Sequence, residues 1–215
     1  MKTIRLDVCE TGYIVHADNL SDVPKLRIQQ QKQAIHCFRN SLLSQYLSST
    51  VQPEDITVTE FGKPYLKDFP DFSFNHSHSR QHYALASSHQ VRDLGVDIED
   101  LNRQVRFEAL AGHAFHAEEI KLWLEYDCDS EYWFRIWTAK EAILKAAGLG
   151  IRMNLNELNV RLTSGMSGGV CSHDRLGVFA FQSYIVMGSM LTVAWRSELS
   201  CKGFNFPKIE LICHS

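Results

Sequence analysis

The sequence lacks any apolar run long enough to cross a bilayer. Its longest such stretch, Ile185 to Trp195, falls well short of the roughly 20 residues a membrane helix requires. Charge breaks up Met1–Glu10, which has no apolar centre of the kind a secretory leader carries. An excess of basic residues is missing too. With 22 Lys+Arg against 25 Asp+Glu, the net charge is -3, which argues against broad nucleic-acid binding, since that draws on a basic surface to neutralise phosphates. The six cysteines (Cys9, Cys37, Cys128, Cys171, Cys201 and Cys213) form no Cys-x-x-Cys pair and none sits beside a zinc-finger histidine run. Scattered single cysteines predict buried thiols in a reducing cytoplasm. These absences predict a soluble, cytoplasmic protein with neither a membrane nor a nucleic-acid partner.

What is present suffices for one sizeable core or two small ones: 215 residues, 45% of them hydrophobic. Alternation predicts strands at Thr3–Val8, Ile56–Glu60, Leu94–Glu99, Leu158–Leu162, Val178–Gln182, Tyr184–Val186 and Met190–Arg196, and two more framing the polar run Asn75–Arg80. Helical spacing appears over Leu26–Leu47, Phe107–Phe115 and His116–Leu124. The strongest helix is expected over Glu131–Ala147, capped by Ser130 and stopped by Gly148 and Gly150. Residues 164–169 read as a flexible turn. The pattern is mixed α/β (α+β), with a break near Leu94 that divides it into halves at 1–94 and 95–215.

Four segments could carry chemistry. Asp97 and Glu99, at i and i+2 of a strand, point to one face; two adjacent carboxylates repel unless a cation or shared proton lies between them. Magnesium suits such a pair, because it takes hard oxygen ligands and keeps water and substrate phosphate. A solvated strand end is the plainer reading of the pair alone. Glu141 and Lys145 are i,i+4 neighbours on the long helix, which alone reads as an exposed ion pair; Phe134 and Thr138 continue that face, so it need not be plain charged exterior. Asn75-His76-Ser77-His78-Ser79 offers hydroxyls and imidazoles at a turn, better suited to an anion than to a transition metal. Gly62-Lys63-Pro64 presents a lysine at a loop tip. His36, His82, His89, His113 and His214 show no partner spacing, and Trp123, Trp133 and Trp195 read as packing residues.

The combination is more telling than its parts. Leu94-Gly95-Val96-Asp97-Ile98-Glu99 followed by Trp137-Thr138-Ala139-Lys140-Glu141-Ala142-Ile143-Leu144-Lys145 closely resembles the paired signature of the 4'-phosphopantetheinyl transferase superfamily. Phe61–Pro64 and Phe74–Ser79 look like further motifs of its larger, surfactin-synthetase-type branch. The resemblance covers residues 61–145. It implies two similar subdomains related by a pseudo-twofold axis, with a ligand cleft between them. The implied enzyme moves the phosphopantetheine arm of coenzyme A onto a serine of an acyl or peptidyl carrier protein, as a monomer. Asp97, Glu99 and Glu141 would hold Mg2+; Lys63, Ser77, His78 and Lys145 would contact coenzyme A; Glu141, Lys145 and His78 would serve catalysis. Glu119, with Glu118 beside it, falls where the family often has a further helix acid. The basic N-terminal residues Lys25, Arg27, Lys32 and Arg39 do not match the family's spacing for the 3'-phosphate. Another magnesium-dependent nucleotide phosphotransferase or hydrolase, and a non-catalytic carrier-binding module, are the competing readings.

Overall fold

The computed structural model describes residues 2–16, 20–149, 153–197 and 206–215. Among these described residues, ten strands and five α-helices follow in the order β1 (Thr3–Glu10), α1 (Thr11–Ile14), α2 (Pro24–Leu47), β2 (Ile56–Val58), β3 (Pro64–Leu66), β4 (Ser73–His78), β5 (His82–Ser88), β6 (Gly95–Asp100), α3 (Phe107–Ala114), α4 (Ala117–Glu125), α5 (Ser130–Ala147), β7 (Gly168–His173), β8 (Gly177–Val186), β9 (Ser189–Arg196) and β10 (Lys208–His214). The fold is mixed α+β. Two four-stranded sheets, ordered β10-β1-β5-β4 and β6-β9-β8-β7, accompany a small β2-β3 hairpin.

Period-2 patterning layers these sheets. On β1, Ile4, Leu6 and Val8 pack with Ala84, Ala86, Val96, Ile98, Leu191 and Val193 in a core between the two sheets. The opposite face of the first sheet, through Cys9, Phe74, Tyr83 and Leu85, packs against Ile35, Leu42 and Leu43 of α2. Phe179, Phe181, Met190 and Ala194, on the far face of the second sheet, pack against Ile136, Ala139, Ala142 and Ile143 of α5. The order of layers is therefore helix, sheet, sheet, helix. Each fully buried large apolar side chain contributes about 1.5–3 kcal/mol.

Helix α5 lies unusually close to β6. A Cβ on Gly95 would stand 2.1 Å from the Ala142 carbonyl oxygen and 2.3 Å from the Ala146 nitrogen, so only glycine allows this backbone-on-backbone approach. The helix is capped by Asp129, whose carboxylate accepts from the Tyr132 amide at 2.6 Å; Ser130 occupies the first helical position instead of the expected cap. Gly148, at φ 69°, ends it, while Gly150 lies outside the described residues.

Several sequence expectations change. Leu158, Val160 and Leu162 alternate and are buried, but form no strand: the Val160 amide donates to the Glu119 carboxylate at 2.8 Å, and Arg161 adopts φ 54°, outside strand geometry. Residues 178–186 form one strand instead of two. Gly168 and Gly169 open β7, an edge strand that the turn-like composition concealed. β10, unforeseen, pairs in parallel with β1. Cys9 and Cys171 are buried free thiols, whereas Cys37, Cys128 and Cys213 are exposed; Cys201 lies outside the described residues. Trp123, Trp133 and Trp195 are buried. No helix of the described residues is long and apolar enough to cross a membrane.

Candidate active site

The edge strands β4 and β6, one from each sheet, run side by side and are joined by side chains. Asn75, Ser77 and Ser79 are spaced two apart, so they face one way. Asn75 Oδ1 accepts from the Val96 amide at 2.9 Å, Ser77 Oγ donates to Asp97 Oδ1 at 2.9 Å, and Ser79 Oγ donates to Asp100 Oδ1 at 2.6 Å. The close approach at Gly95 then brings the last turns of α5 over this seam. Lys145 Nζ donates to Asp97 Oδ1 at 2.6 Å, to Ser77 Oγ at 2.9 Å and to the Val96 carbonyl at 3.2 Å. Lys145 thus reaches β4 and β6; among the described residues it forms no salt bridge with its helix neighbour Glu141.

Asp97 is only 5% exposed, and its second carboxylate oxygen, Oδ2, is buried without a hydrogen-bond partner. An unmet buried acceptor costs about 1–3 kcal/mol, and more when charged. Glu141 stands close enough to feel this charge. Burial, then Asp97, then Glu99 hold the Glu141 carboxyl above its ordinary range, against an opposing pull from Lys145. Glu99 is turned toward Arg103, whose Nη1 lies 2.6 Å from its carboxylate.

Lys63 enters from the first half. The turn before β3, with Gly62 at φ 84°, brings Lys63 across Gly148, and its ammonium donates to the Ala146 carbonyl at 2.6 Å. Burial lowers the Lys63 pKa to about 8. Lys63, Glu141, Lys145, Asn75, His76 and Phe61 are among the residues lining an open cleft of about 300 Å³. His78 is exposed at the end of β4.

The structure thus brings Asp97, Glu141, Lys145, Ser77 and Lys63 around one region, with Glu99 and His78 at its margin. The divalent-cation expectation can be tested on these groups. An orphaned carboxylate oxygen beside a second carboxyl whose pKa is raised is a donor set that a hard cation would relieve. Among the described residues no group of three or more His, Cys, Asp or Glu side chains is placed to hold a metal ion; Asp97 and Glu141 supply two carboxylates, and magnesium takes water and phosphate oxygens for its remaining ligands. The donor chemistry fits.

Glu119 stands apart. It forms a wholly buried pair with Lys140, 2.7 Å apart and each 1% exposed. Its carboxylate oxygens also serve the Val160 amide and the His116 amide of the α4 capping box. Lys140 also donates to the carbonyls of Leu155 and Leu158. Glu118 accepts from Asn159 at the surface.

His76, named in the sequence only as part of the Asn75–Ser79 run, and Arg39, named only among basic residues without matching spacing, also lie near the site, with His36, His82 and Asp100, whose roles the sequence did not signal. His76 lines the cleft; burial, with Arg39, His36, His78 and Lys145 nearby, pushes its pKa down to about 3. Arg39 is buried and bonds the Asn40 side chain. His36 lies beside His76, their ring centroids 6.2 Å apart, and burial, with Arg39, His78 and Lys32, lowers its pKa. His82 and Asp100 form a buried pair 2.9 Å apart. Burial alone would raise the Asp100 carboxyl, but hydrogen bonds from Ser79, His82, Gln81 and Ser189 outweigh it and hold it below its ordinary range. Arg103 could have been suspected only from its i,i+4 spacing to Glu99.

Comparison with known proteins converges on the same segment. A family model described as the 4'-phosphopantetheinyl transferase superfamily matches residues 93–187. The chain is 34% identical over 108 residues to "4'-phosphopantetheinyl transferase Sfp" of Bacillus subtilis (strain 168), covering 49% of this chain and 46% of that protein. It is 37% identical over 128 residues to "4'-phosphopantetheinyl transferase HetI" of Nostoc sp., covering 57% and 53%. It is also 33% identical over 126 residues to a "Putative 4'-phosphopantetheinyl transferase" of Haemophilus influenzae, covering 57% and 52%. The chain spans about half the length of the curated relatives it matches.

Proposed function

We infer that this chain, whose residues 93–187 match the model of the 4'-phosphopantetheinyl transferase superfamily, is a member of that superfamily and transfers the 4'-phosphopantetheine arm of coenzyme A to a serine of an acyl or peptidyl carrier protein. The observation that carries this reading is the meeting of Asp97, Glu141 and Lys145 beside a cleft lined by the β2–β3 hairpin, β4 and α5. The similarity to relatives of the surfactin-synthetase type supports assignment to that branch. The halves 1–94 and 95–215 are read as two subdomains related by a pseudo-twofold axis, and the chain as a cytoplasmic monomer.

In the reaction, the carrier serine oxygen forms a bond to the β-phosphorus of coenzyme A. The bond from that phosphorus to the bridging oxygen breaks, and adenosine 3',5'-bisphosphate leaves with the electron pair. Reactions of this type depend on positioning and charge neutralisation more than on covalent help from the protein. Glu141 is the general base that accepts the serine proton, directly or relayed through a water. Lys145 supplies positive charge to the pyrophosphate, and His78, Ser77 and Lys63 bind and orient the nucleotide phosphates. Asp97, Glu99 and Glu141 would hold Mg2+, which when bound neutralises charge on the diphosphate. For coenzyme A to use them, Lys145 and Lys63 must exchange their present internal acceptors for phosphate oxygens.

The test is to incubate the chain with coenzyme A, magnesium and a panel of fatty-acid, polyketide and peptide-synthetase carriers, and to weigh each carrier. A mass gain of one phosphopantetheine, lost when EDTA is present, is expected. Unchanged masses across the whole panel would sink the reading.

A further inference from the structure

Asp100 lies one residue beyond Glu99, yet it faces away from the cleft into a buried polar junction. Two tight turns meet there, one from each sheet. The first joins β4 to β5 and is closed by the Ser79 amide donating to the His82 carbonyl at 2.8 Å. The second joins β8 to β9 through Met187 at φ 52° and Gly188 at φ 78°. Asp100 Oδ1 accepts from Ser79 at 2.6 Å and from Ser189 at 3.1 Å, and lies 2.9 Å from His82 Nδ1; Oδ2 accepts from the Gln81 amide at 3.1 Å. Ser189 Oγ is also 2.8 Å from His82 Nδ1. Asp100, His82 and Ser189 are at most 5% exposed. One carboxylate therefore ties both hairpin turns to the end of β6.

We propose that Asp100, with His82 and Ser189, is a positioning group that fixes the offset of β4 against β6. β4 and β6 belong to different sheets and share no backbone ladder, so no regular pairing sets their register. Among the described residues side chains set it instead: Asn75 on Val96, Ser77 on Asp97 and Ser79 on Asp100, with Lys145 bridging Ser77 and Asp97. A strand residue rises about 3.3 Å, so a slip of a fraction of one residue would part Ser77 from Asp97. The last rung is the strongest, because a buried carboxylate with several donors resists displacement. This extends the transferase reading, since the groups kept in step are its phosphate-binding and cation-binding residues.

Asp100→Asn keeps the shape and replaces one acceptor by a donor facing donors. Ser189→Ala is milder and leaves the carboxylate in place. Leu43→Ala, in the core under α2, serves as a destabilised control. The function-independent readout is hydrogen exchange of the Val96 amide, which is bonded across the seam to Asn75; adenosine 3',5'-bisphosphate binding by calorimetry is the second. In Asp100→Asn, Val96 exchange should rise about tenfold while the β6 amides paired to β9 keep their protection, and Ser189→Ala should shift it the same way by about threefold. The nucleotide dissociation constant should rise about fivefold or more in Asp100→Asn and stay within about twofold in Leu43→Ala. Wild-type Val96 exchange in a folded Asp100→Asn, or in Ser189→Ala if Asp100→Asn does not fold, overturns the proposal. If the unmodified protein binds no adenosine bisphosphate, the transferase reading fails, while the exchange result still decides whether Asp100 sets the strand offset.

Discussion

Helix α5 carries two lysine–carboxylate pairs about one and a half turns apart, and they are built differently. Lys140 and Glu119 are each 1% exposed, and both have their remaining valences met by backbone groups. Lys145 and Asp97 are 28% and 8% exposed at the side chain, and Asp97 Oδ2 is left with no partner. A completed buried network braces the fold, because every group in it has exchanged water for a protein partner. An incomplete one at the edge of a cleft keeps an unmet charge that a ligand can satisfy. The sequence singles out Lys145 by its spacing to Glu141 and by the family resemblance, but it does not show that Lys140, on the same helix within one motif, is closed off in a buried pair.

That contrast breaks if the two pairs respond alike to mutation. The largest expected effect is on stability: Lys140→Ala leaves Glu119 buried and unpaired and should cost about 3–5 kcal/mol in denaturant unfolding. The same measurement on Lys145→Ala should show a loss smaller by several-fold. Next comes chemistry. Glu141→Gln should leave the fold intact and lower carrier modification by about a thousandfold, roughly 4 kcal/mol of barrier; turnover near that of the unmodified protein would remove Glu141 from its role. Lys145→Ala should cost about ten- to a hundredfold in kcat/KM for coenzyme A, the scale of one charge-assisted phosphate contact.

A smaller effect concerns pH. The folded Glu141 carboxyl has a raised pKa and so holds its proton more tightly than the unfolded chain does. Its favourable contribution is complete below the unfolded value near 4.5 and is lost as pH rises through the folded one. Glu141→Gln should therefore be more stable than the parent at pH 7 without magnesium, and the gap should close near pH 4 in thermal melts. Magnesium should stabilise the parent at pH 7 and do little for the variant; equal shifts in both would argue against a cation at this carboxylate.

Much of this site is legible in the order of amino acids. The alternation of β6 puts Asp97 and Glu99 on one face, and the i,i+4 spacing of Glu141 and Lys145 fixes them on one side of α5. Less legible are groups whose role depends on a distant partner. His82 and Asp100 carry no mutual spacing, and they meet only because two hairpin turns converge. Leu158–Leu162 has the pattern of a strand, but its backbone donor at Val160 is taken by Glu119 from another helix. β10 pairs with β1 although nearly the whole chain separates them, and no local pattern specifies such a partner.

The sequence by itself determined the local geometry: which residues share a strand face or a helix side, where α5 ends at Gly148, and that Gly95 carries no side chain. These follow from backbone sterics and short-range periodicity. Only the tertiary structure decided which lysine is braced and which is open, and that Asp97 keeps one oxygen unmet beside Glu141. Burial and hydrogen-bond satisfaction depend on every element packed around a group, and α5 must first settle on β6 before either can be defined.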